Sequence, residues 1–304
     1  MTTHPPLVSV VIPTYNRWPL IAEAIQSVLA QTFKAFELIV VDDGSTDGTA
    51  RLLSPGDSRL KVLSQARAGV AAARNAGVTM SRGKYIAFLD SDDLWSPAKL
   101  AVQANFMERN CGVHICQTEE IWIRGGVRVN PKLRHRKPTG DIFHRSLELC
   151  LVSPSAIMMT KELFYLAGGF DESFPVCEDY DLWLRIAVSH PVYLIDSPLV
   201  TKRGGHVDQL SRSIWAMDRF RVLAIAKLLR AGLVGEKRSW ALDILRQKAS
   251  ILAAGAVKRG KLDDARKFEA LVAEFLGGAG DDGTNNSEIC AEQRISSADS
   301  RALA

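Results

Sequence analysis

GKYIAFLDSDDLW, residues 83–95, places three carboxylates, Asp90, Asp92 and Asp93, directly behind the apolar run Tyr85–Leu89. A short apolar run bounded by polar residues and glycine reads as a buried strand. The acids therefore emerge at its C-terminal end, the edge at which open α/β sheets hold ligands. Crowded carboxylates repel one another, and a divalent cation that carries a phosphate ligand relieves the repulsion. The same acids also suit a solvated turn that caps a helix starting near Ser96-Pro97.

Two earlier runs end in the same way. Phe36–Val41 (FELIVV) leads into Asp42-Asp43-Gly44-Ser45-Thr46-Asp47-Gly48-Thr49, and Val10–Ile12 leads into Pro13-Thr14-Tyr15-Asn16-Arg17. Hydrophobic spacing predicts strands over 8–12, 36–41, 60–64 and 84–89, alternating with helices over 18–31, 47–54, 69–80 and 96–109. In the first helix Leu20, Ile21, Ala24, Ile25, Val28 and Leu29 share one face. Such alternation predicts a largely parallel sheet with right-handed crossovers, a nucleotide-binding α/β layout.

Beyond residue 110 the pattern changes. Val113–Ile123, Gly125-Gly126 and Val127–Val129 read as a hairpin, Ile142–Leu151 and Glu178–Ser189 as helices, Ser155–Met159 as a strand, and Leu199–Val200 as another strand's end. Helical patterns over 214–231, 236–259 and 261–276 make a C-terminal segment packed on the rest, with Leu223, Ile225, Leu228 and Leu229 read as core. The tail from Gly277 is rich in Gly, Ser, Asp and Asn and is expected to be disordered.

Composition excludes some classes. With 38 basic and 34 acidic residues the net charge is only +4, which carries no nucleic-acid signature. The five cysteines (Cys111, Cys116, Cys150, Cys177, Cys290) lack CxxC or metal-finger spacing and point to free thiols in a reducing compartment. The N-terminus MTTHPPLVSVV lacks the pattern of a secretory signal, and no run approaches 18 apolar residues. The expectation is a cytoplasmic protein, with room for peripheral contact with the inner face of a membrane.

Four motifs in order, SVVIPTYNR, VVDDGSTDGT, AGVAAARNAGVTMSRGKYIAFLDSDDLW and GGFDESFPVCEDYDLWLR, resemble those of family 2 glycosyltransferases with the GT-A fold, from about Val8 to about Pro198. The resemblance implies a GT-A catalytic domain over 1–213, its nucleotide-sugar half spanning 1–110 and its acceptor half 111–213. A helical appendage over 214–276 and the tail over 277–304 follow. It implies that Pro13, Thr14, Tyr15, Asn16 and Asp43 hold the nucleoside, and that Asp90 or Ser91 lies by the ribose. Asp92, with Asp90, would contact Mg²⁺ or Mn²⁺ through the DxD pattern Asp90-Ser91-Asp92. In chemical terms, Asp43 can accept the imide N–H of uracil or thymine, and a hard cation takes oxygen ligands partly from the diphosphate.

The ED pair Glu178-Asp179 opens a helix with Leu182, Leu184, Ile186 and Ala187 on its buried side. The resemblance makes Asp179 the general base for an acceptor hydroxyl; taken alone, the pair also reads as helix N-terminal charge or as a partner for Arg185. One base-assisted displacement inverts the anomeric carbon. Arg67, Arg74 and Arg82 read as surface cations, with Arg67 the candidate to reach the base or diphosphate. His206, in KRGGHVDQLSR after the last strand, resembles the family's late loop that closes over diphosphate or metal. Lys132–Lys137 (KLRHRK) reads as a solvated loop, or as a contact for an anionic, lipid-linked acceptor or an acidic membrane surface.

The function implied is transfer of a sugar from a UDP- or dTDP-sugar to a hydroxyl acceptor in cell-surface polysaccharide or glycan assembly. The rivals are a nucleotidyltransferase, which would carry an early Gly-rich loop where this chain has PTYNR, and a non-catalytic nucleotide-sugar-binding module.

Overall fold

A computed structural model of the chain describes residues 5–53, 56–130, 132–205 and 217–276. His206 and the expected tail over 277–304 lie outside the described residues, as do the first residues of the helix expected over 214–231. The first half alternates as the sequence predicts: β1 (Val8–Thr14), α1 (Leu20–Leu29), β2 (Phe36–Asp42), α2 (Thr49–Leu52), β3 (Leu60–Ser64), α3 (Val70–Thr79), β4 (Tyr85–Phe88), the two-residue β5 (Leu94–Trp95) and α4 (Lys99–Arg109). The second half adds β6 (Ile115–Arg124), β7 (Val127–Val129), α5 (Phe143–Glu148), β8 (Ile157–Thr160), α6 (Lys161–Leu166), α7 (Glu178–Ala187) and β9 (Tyr193–Gly204). Helices α8 (Asp218–Arg230), α9 (Gly235–Lys258) and α10 (Leu262–Ala273) follow.

All the strands belong to one sheet of order β3-β2-β1-β4-β8-β6-β9-β5, with β7 paired to β6. The β3-β2-β1-β4 portion is parallel, β8 runs antiparallel to both β4 and β6, and β9 runs parallel to β6. Every residue of β1 and β2 is buried, because helices cover both faces of the sheet. Alternation along the strands sorts the side chains. Val11, Ile39 and Val41 meet Ala71, Ala73 and Val78 of α3, whereas Val10, Ile12, Leu38 and Val40 meet Ile21, Ala24 and Val28 of α1.

Two glycines set how closely α3 and β4 approach their neighbours. A Cβ at Gly77 would lie 2.4 Å from a Val11 methyl, and one at Gly83 would lie 2.6 Å from the Ser9 amide nitrogen. The α3 face that meets the sheet is accordingly built from alanine, valine and glycine.

Three details depart from the sequence reading. β9 runs on past Val200 to Gly204, because Glu120–Arg124 of β6 pairs with it along that length and β5 flanks its other side. Helix α6 is additional; the Thr160 hydroxyl caps it by accepting from Leu163 N at 3.2 Å. Leu223 is 44% exposed, while Ile225, Leu228 and Leu229 are core.

Candidate active site

The C-terminal ends of β1, β2 and β4 open onto a cleft of about 1000 Å³. Pro13, Thr14, Tyr15, Asn16, Asp43, Arg67, Asp90, Ser91, Asp92, Glu178 and Asp179 all line it, so the structure brings together every candidate residue it describes.

The end of the cleft at β1 and β2 is built by three loops. Asp43 N donates to Thr14 O at 2.9 Å, which ties the β2 end to the β1 end. The Asp43 carboxylate is largely engaged by its own protein. Its Oδ1 accepts from Gln65 Nε2 and Ala68 N, and its Oδ2 from Gly69 N, each at 2.8 Å. Oδ2 keeps acceptor capacity for one more donor. Asn16, with φ of 50°, is a latch between loops. Its Oδ1 accepts from Thr46 N at 2.7 Å, and its backbone N donates to Ser45 Oγ at 2.9 Å. The Arg67 guanidinium lies 3.5 Å from the centroid of the Tyr15 ring, a cation–π stack that sets both side chains in the cleft wall.

At the β4 end the three acids divide. Asp93 is buried and turned inward, accepting from Ser155 Oγ at 2.7 Å and from Arg203 N at 3.0 Å. Burial and the charges of Asp90 and Asp92 push its carboxyl up to about 8, against Lys202 and the Ser155 hydroxyl. Asp93 thus fastens the loop to β9. Asp90 and Asp92 face the cleft. Burial first, and then the Asp90 charge, raise the Asp92 carboxyl above its ordinary value, with Arg17 and Lys202 opposing.

That crowding is the feature a divalent cation would relieve. Among the described residues no three His, Cys, Asp or Glu side chains converge to hold an ion unaided. The donor set therefore fits Mg²⁺ or Mn²⁺ bound through one or two carboxylates, with the rest of its shell drawn from phosphate and water.

Across the cleft, α7 begins after Cys177, whose φ of 62° is unusual for a residue with a side chain and turns the chain sharply into the helix. Asp179 Oδ1 accepts from Tyr180 N at 2.7 Å, and Oδ2 accepts from Cys150 Sγ at 3.5 Å. Burial and the nearby Asp179 charge raise the Cys150 thiol well above its ordinary range, which keeps it a donor to that carboxylate. Glu178 instead meets Arg74, whose Nη1 donates to it at 2.6 Å while Nη2 donates to Asp90 at 2.8 Å. Burial and Asp179 push the Glu178 carboxyl up to about 7 against the pull of Arg74. Burial opposes the Arg74 charge, but Asp90 and Glu178 outweigh it and its pKa is raised.

Arg74 is therefore no surface cation. It is a buried strut joining the acids after β4 to those opening α7. Arg82 serves the opposite end of the sheet, where its backbone N and Nε donate to Glu37. Arg185 pairs with Asp181, not with Glu178 or Asp179.

Lys202 is the residue that the sequence reading passed over. It is half-buried on β9, lines the cleft, and donates to Ser153 Oγ at 3.0 Å. Burial disfavours its charge, but Glu120, Asp93, Asp90 and Asp179 together raise its pKa, so it stays an ammonium among these acidic side chains.

A parallel sheet with a nucleotide-sized cleft at its strand ends, acids at two loops and a mixed second half is the GT-A fold. The glycosyl transferase family 2 model matches residues 9–165, just over half the chain, and the chain belongs to that family. Among curated relatives, WfgD of Escherichia coli, a UDP-Glc:alpha-D-GlcNAc-diphosphoundecaprenol beta-1,3-glucosyltransferase, is 33% identical over 219 residues, 71% of this chain and 82% of that protein. TuaG of Bacillus subtilis, a putative teichuronic acid biosynthesis glycosyltransferase, is 45% identical over 116 residues, 36% of this chain and 46% of that one. An uncharacterized glycosyltransferase of Rickettsia felis is 37% identical over 204 residues, 64% of this chain, which spans only 33% of that relative's length. The S. aureus TarS 1–349 structure in complex with UDP-GlcNAc superposes with a TM-score of 0.63 at 18% identity, covering 88% of this chain and 91% of that one. The mannosyltransferase PcManGT of Pyrobaculum calidifontis, in complex with GDP-Man and Mn²⁺, gives a TM-score of 0.56 at 21% identity, covering 90% and 88%. At those identities the two structures speak for the fold alone.

Proposed function

We propose that the protein is an inverting glycosyltransferase that moves a sugar from a nucleoside diphosphate to a hydroxyl of a lipid-linked glycan in cell-surface polysaccharide assembly. The observation that carries this reading is the pairing of two acid clusters across one cleft, Asp90 and Asp92 facing Asp179, with Arg74 bracing both sides. The similarity to WfgD, a UDP-Glc-dependent glucosyltransferase, favours a UDP-sugar, with dTDP the alternative base.

In this reading the nucleoside lies against Tyr15 and Arg67, with the free Asp43 Oδ2 position taking the imide N–H. Asp90 or Ser91 meets the ribose. Asp92, assisted by Asp90, would hold Mg²⁺ or Mn²⁺, which when bound supplies positive charge to the departing diphosphate. Asp179 takes the proton of the acceptor hydroxyl as its oxygen attacks the anomeric carbon from the side opposite the diphosphate, which inverts the configuration. Glu178, paired with Arg74, holds the helix start that aims Asp179. A lipid-linked acceptor puts the enzyme at the inner face of a membrane; no helix of the described residues is long and apolar enough to cross one.

Thermal shift against UDP-, dTDP-, GDP- and CMP-sugars, with and without Mn²⁺, tests the donor half. One nucleotide should stabilise the protein in a metal-dependent way that Asp92→Ala abolishes. Asp179→Asn should keep that shift while turnover falls about 10²–10⁴-fold. Retention of the donor's anomeric configuration in the product would overturn the mechanism, and absence of any nucleotide shift in folded protein would favour a non-catalytic module.

A further inference from the structure

Two antiparallel pairings, β4 with β8 and β8 with β6, bring β6 parallel to β4. The C-terminal end of β6 therefore leaves the sheet at the edge where Asp90 and the cleft lie. There it turns at Gly125-Gly126 into β7, and the chain goes on to the single turn Leu133–His135. The root of this hairpin borders the cleft, since Trp122 pairs in register with the cleft-lining Lys202.

From Ile121 to Gly140 the chain contains no Asp or Glu. Arg124, Arg128, Lys132, Arg134 and Arg136 are all exposed there, and none forms an ion pair with a described residue. Exposed cations elsewhere find acids, as in Lys84–Glu108, Arg230–Glu274 and Arg266–Asp263. The hairpin and the turn form one patch. The Trp122 ring lies 5.7 Å from that of His135 and 5.7 Å from the Arg124 guanidinium. Burial, and then the charges of Arg134, Lys132 and Arg124, lower the pKa of His135, as expected where those cations crowd one site. Apolar side chains stand among the charges, Leu133 at 90% exposure and Val127 at 66%.

We infer that the β6–β7 hairpin and the Leu133–His135 turn dock the protein on an anionic lipid bilayer, with the cleft mouth facing the membrane. Unpaired cations suit the negative surface potential of such a leaflet, and exposed Leu133 and Val127 suit its headgroup–acyl boundary. A soluble polyanion would match the charges and have no use for Leu133. The purpose of the contact, bringing the cleft to an acceptor held in the bilayer, rests on the function proposed above; the contact itself can be measured without any turnover.

Flotation of the full chain with phosphatidylglycerol/phosphatidylcholine vesicles, and with phosphatidylcholine alone, tests it. The protein should float with the anionic vesicles only, and less so as salt rises. Each of Arg124→Gln, Arg128→Gln, Arg134→Gln and Arg136→Gln should lower the partition coefficient about fivefold. Leu133→Ser should lower it as well, by a factor that salt does not change. Arg266→Gln with Lys267→Gln, on α10, should leave it as it was, and all the variants should keep the parent's melting temperature. Failure of the parent to bind anionic vesicles, equal partition of the hairpin variants, or dextran sulfate binding that displaces vesicles with Leu133→Ser inert would each overturn the proposal. Donor turnover in vesicle-free buffer reports separately on the transferase reading.

Discussion

Lys202 shows how much one side chain can balance. Its ammonium sits among Glu120, Asp93, Asp90 and Asp179, and removing it leaves those acids without their shared counter-charge. Breaking a buried ionic network from one side typically costs about 3–5 kcal/mol. Lys202 and Asp90 keep some contact with solvent, so Lys202→Met should destabilise the ligand-free protein by less than that, about 1–3 kcal/mol. Because a divalent cation can replace the missing charge, Mn²⁺ should raise the melting temperature of Lys202→Met by more than it raises that of the parent. Equal shifts would mean that Lys202 does not share the field of Asp90 and Asp92. The acids at the strand ends are legible in sequence, because strand-then-carboxylate is a local pattern, and Asp43, Asp90 and Asp92 all reach the cleft. Asp179 reaches it from a helix start that only the family resemblance singles out. Lys202 and Arg74 are not legible. Each takes its meaning from burial by segments far away along the chain, Glu120 and Ser153 in one case and Glu178 in the other. A lone cation in a loop-like stretch or an alanine-rich helix gives no local sign of that.

Among the elements, the parallel half of the sheet is clamped at its lower edge by one carboxylate. Glu37, near the start of β2, accepts from Ser9 Oγ of β1 at 2.7 Å, Lys61 Nζ of β3 at 2.9 Å and Arg82 N before β4 at 2.6 Å. Burial alone would raise its pKa, but Lys61, Ser9 and Arg82 overrule it and hold the carboxyl at about 2, below the ordinary 4.5. A depressed folded value means that the unfolded chain binds the proton more tightly. The contribution of Glu37 is therefore complete above about pH 4.5 and is lost as pH falls toward 2. Glu37→Gln should lower stability at pH 7 by about 2 kcal/mol and flatten that acid limb, which urea midpoints measured across the range would reveal. Parallel curves for parent and variant would assign the acid limb to other groups. The strands so clamped are readable from sequence because both faces are apolar. The extension of β9 over Lys202, Arg203 and Gly204 is not, since pairing with β6 imposes it against polar, glycine-bearing residues. The short α6 carries only its Thr160 cap as a signal.

Over the whole molecule, the last three helices are joined to the chemistry through a shared core. Val222 and Ile225 of α8 and Ala241, Leu242 and Leu245 of α9 belong to the same buried cluster as Val11 and Ile39 of the sheet and Leu182 and Leu184 of α7. Lys227 of α8 adds contacts with Asp171 and Asp181, and the Tyr180 hydroxyl, next to Asp179, donates to Leu147 O of α5 at 2.6 Å. The position of the proposed base thus depends on packing that begins in α9. Leu245 is fully buried, and truncating such a leucine leaves a cavity that costs about 2–5 kcal/mol. Because the cluster is continuous from α9 to β1, the loss should fall on one cooperative transition. Leu245→Ala should shift a single melting curve down by roughly 5–10 °C, with circular dichroism and tryptophan fluorescence falling together. A curve that splits, with an early helical phase and an unmoved later one, would make α8–α10 a separate unit resting on the sheet. In that case Asp179 should keep its activity through the first phase. If the core is shared, donor turnover should vanish with the single transition.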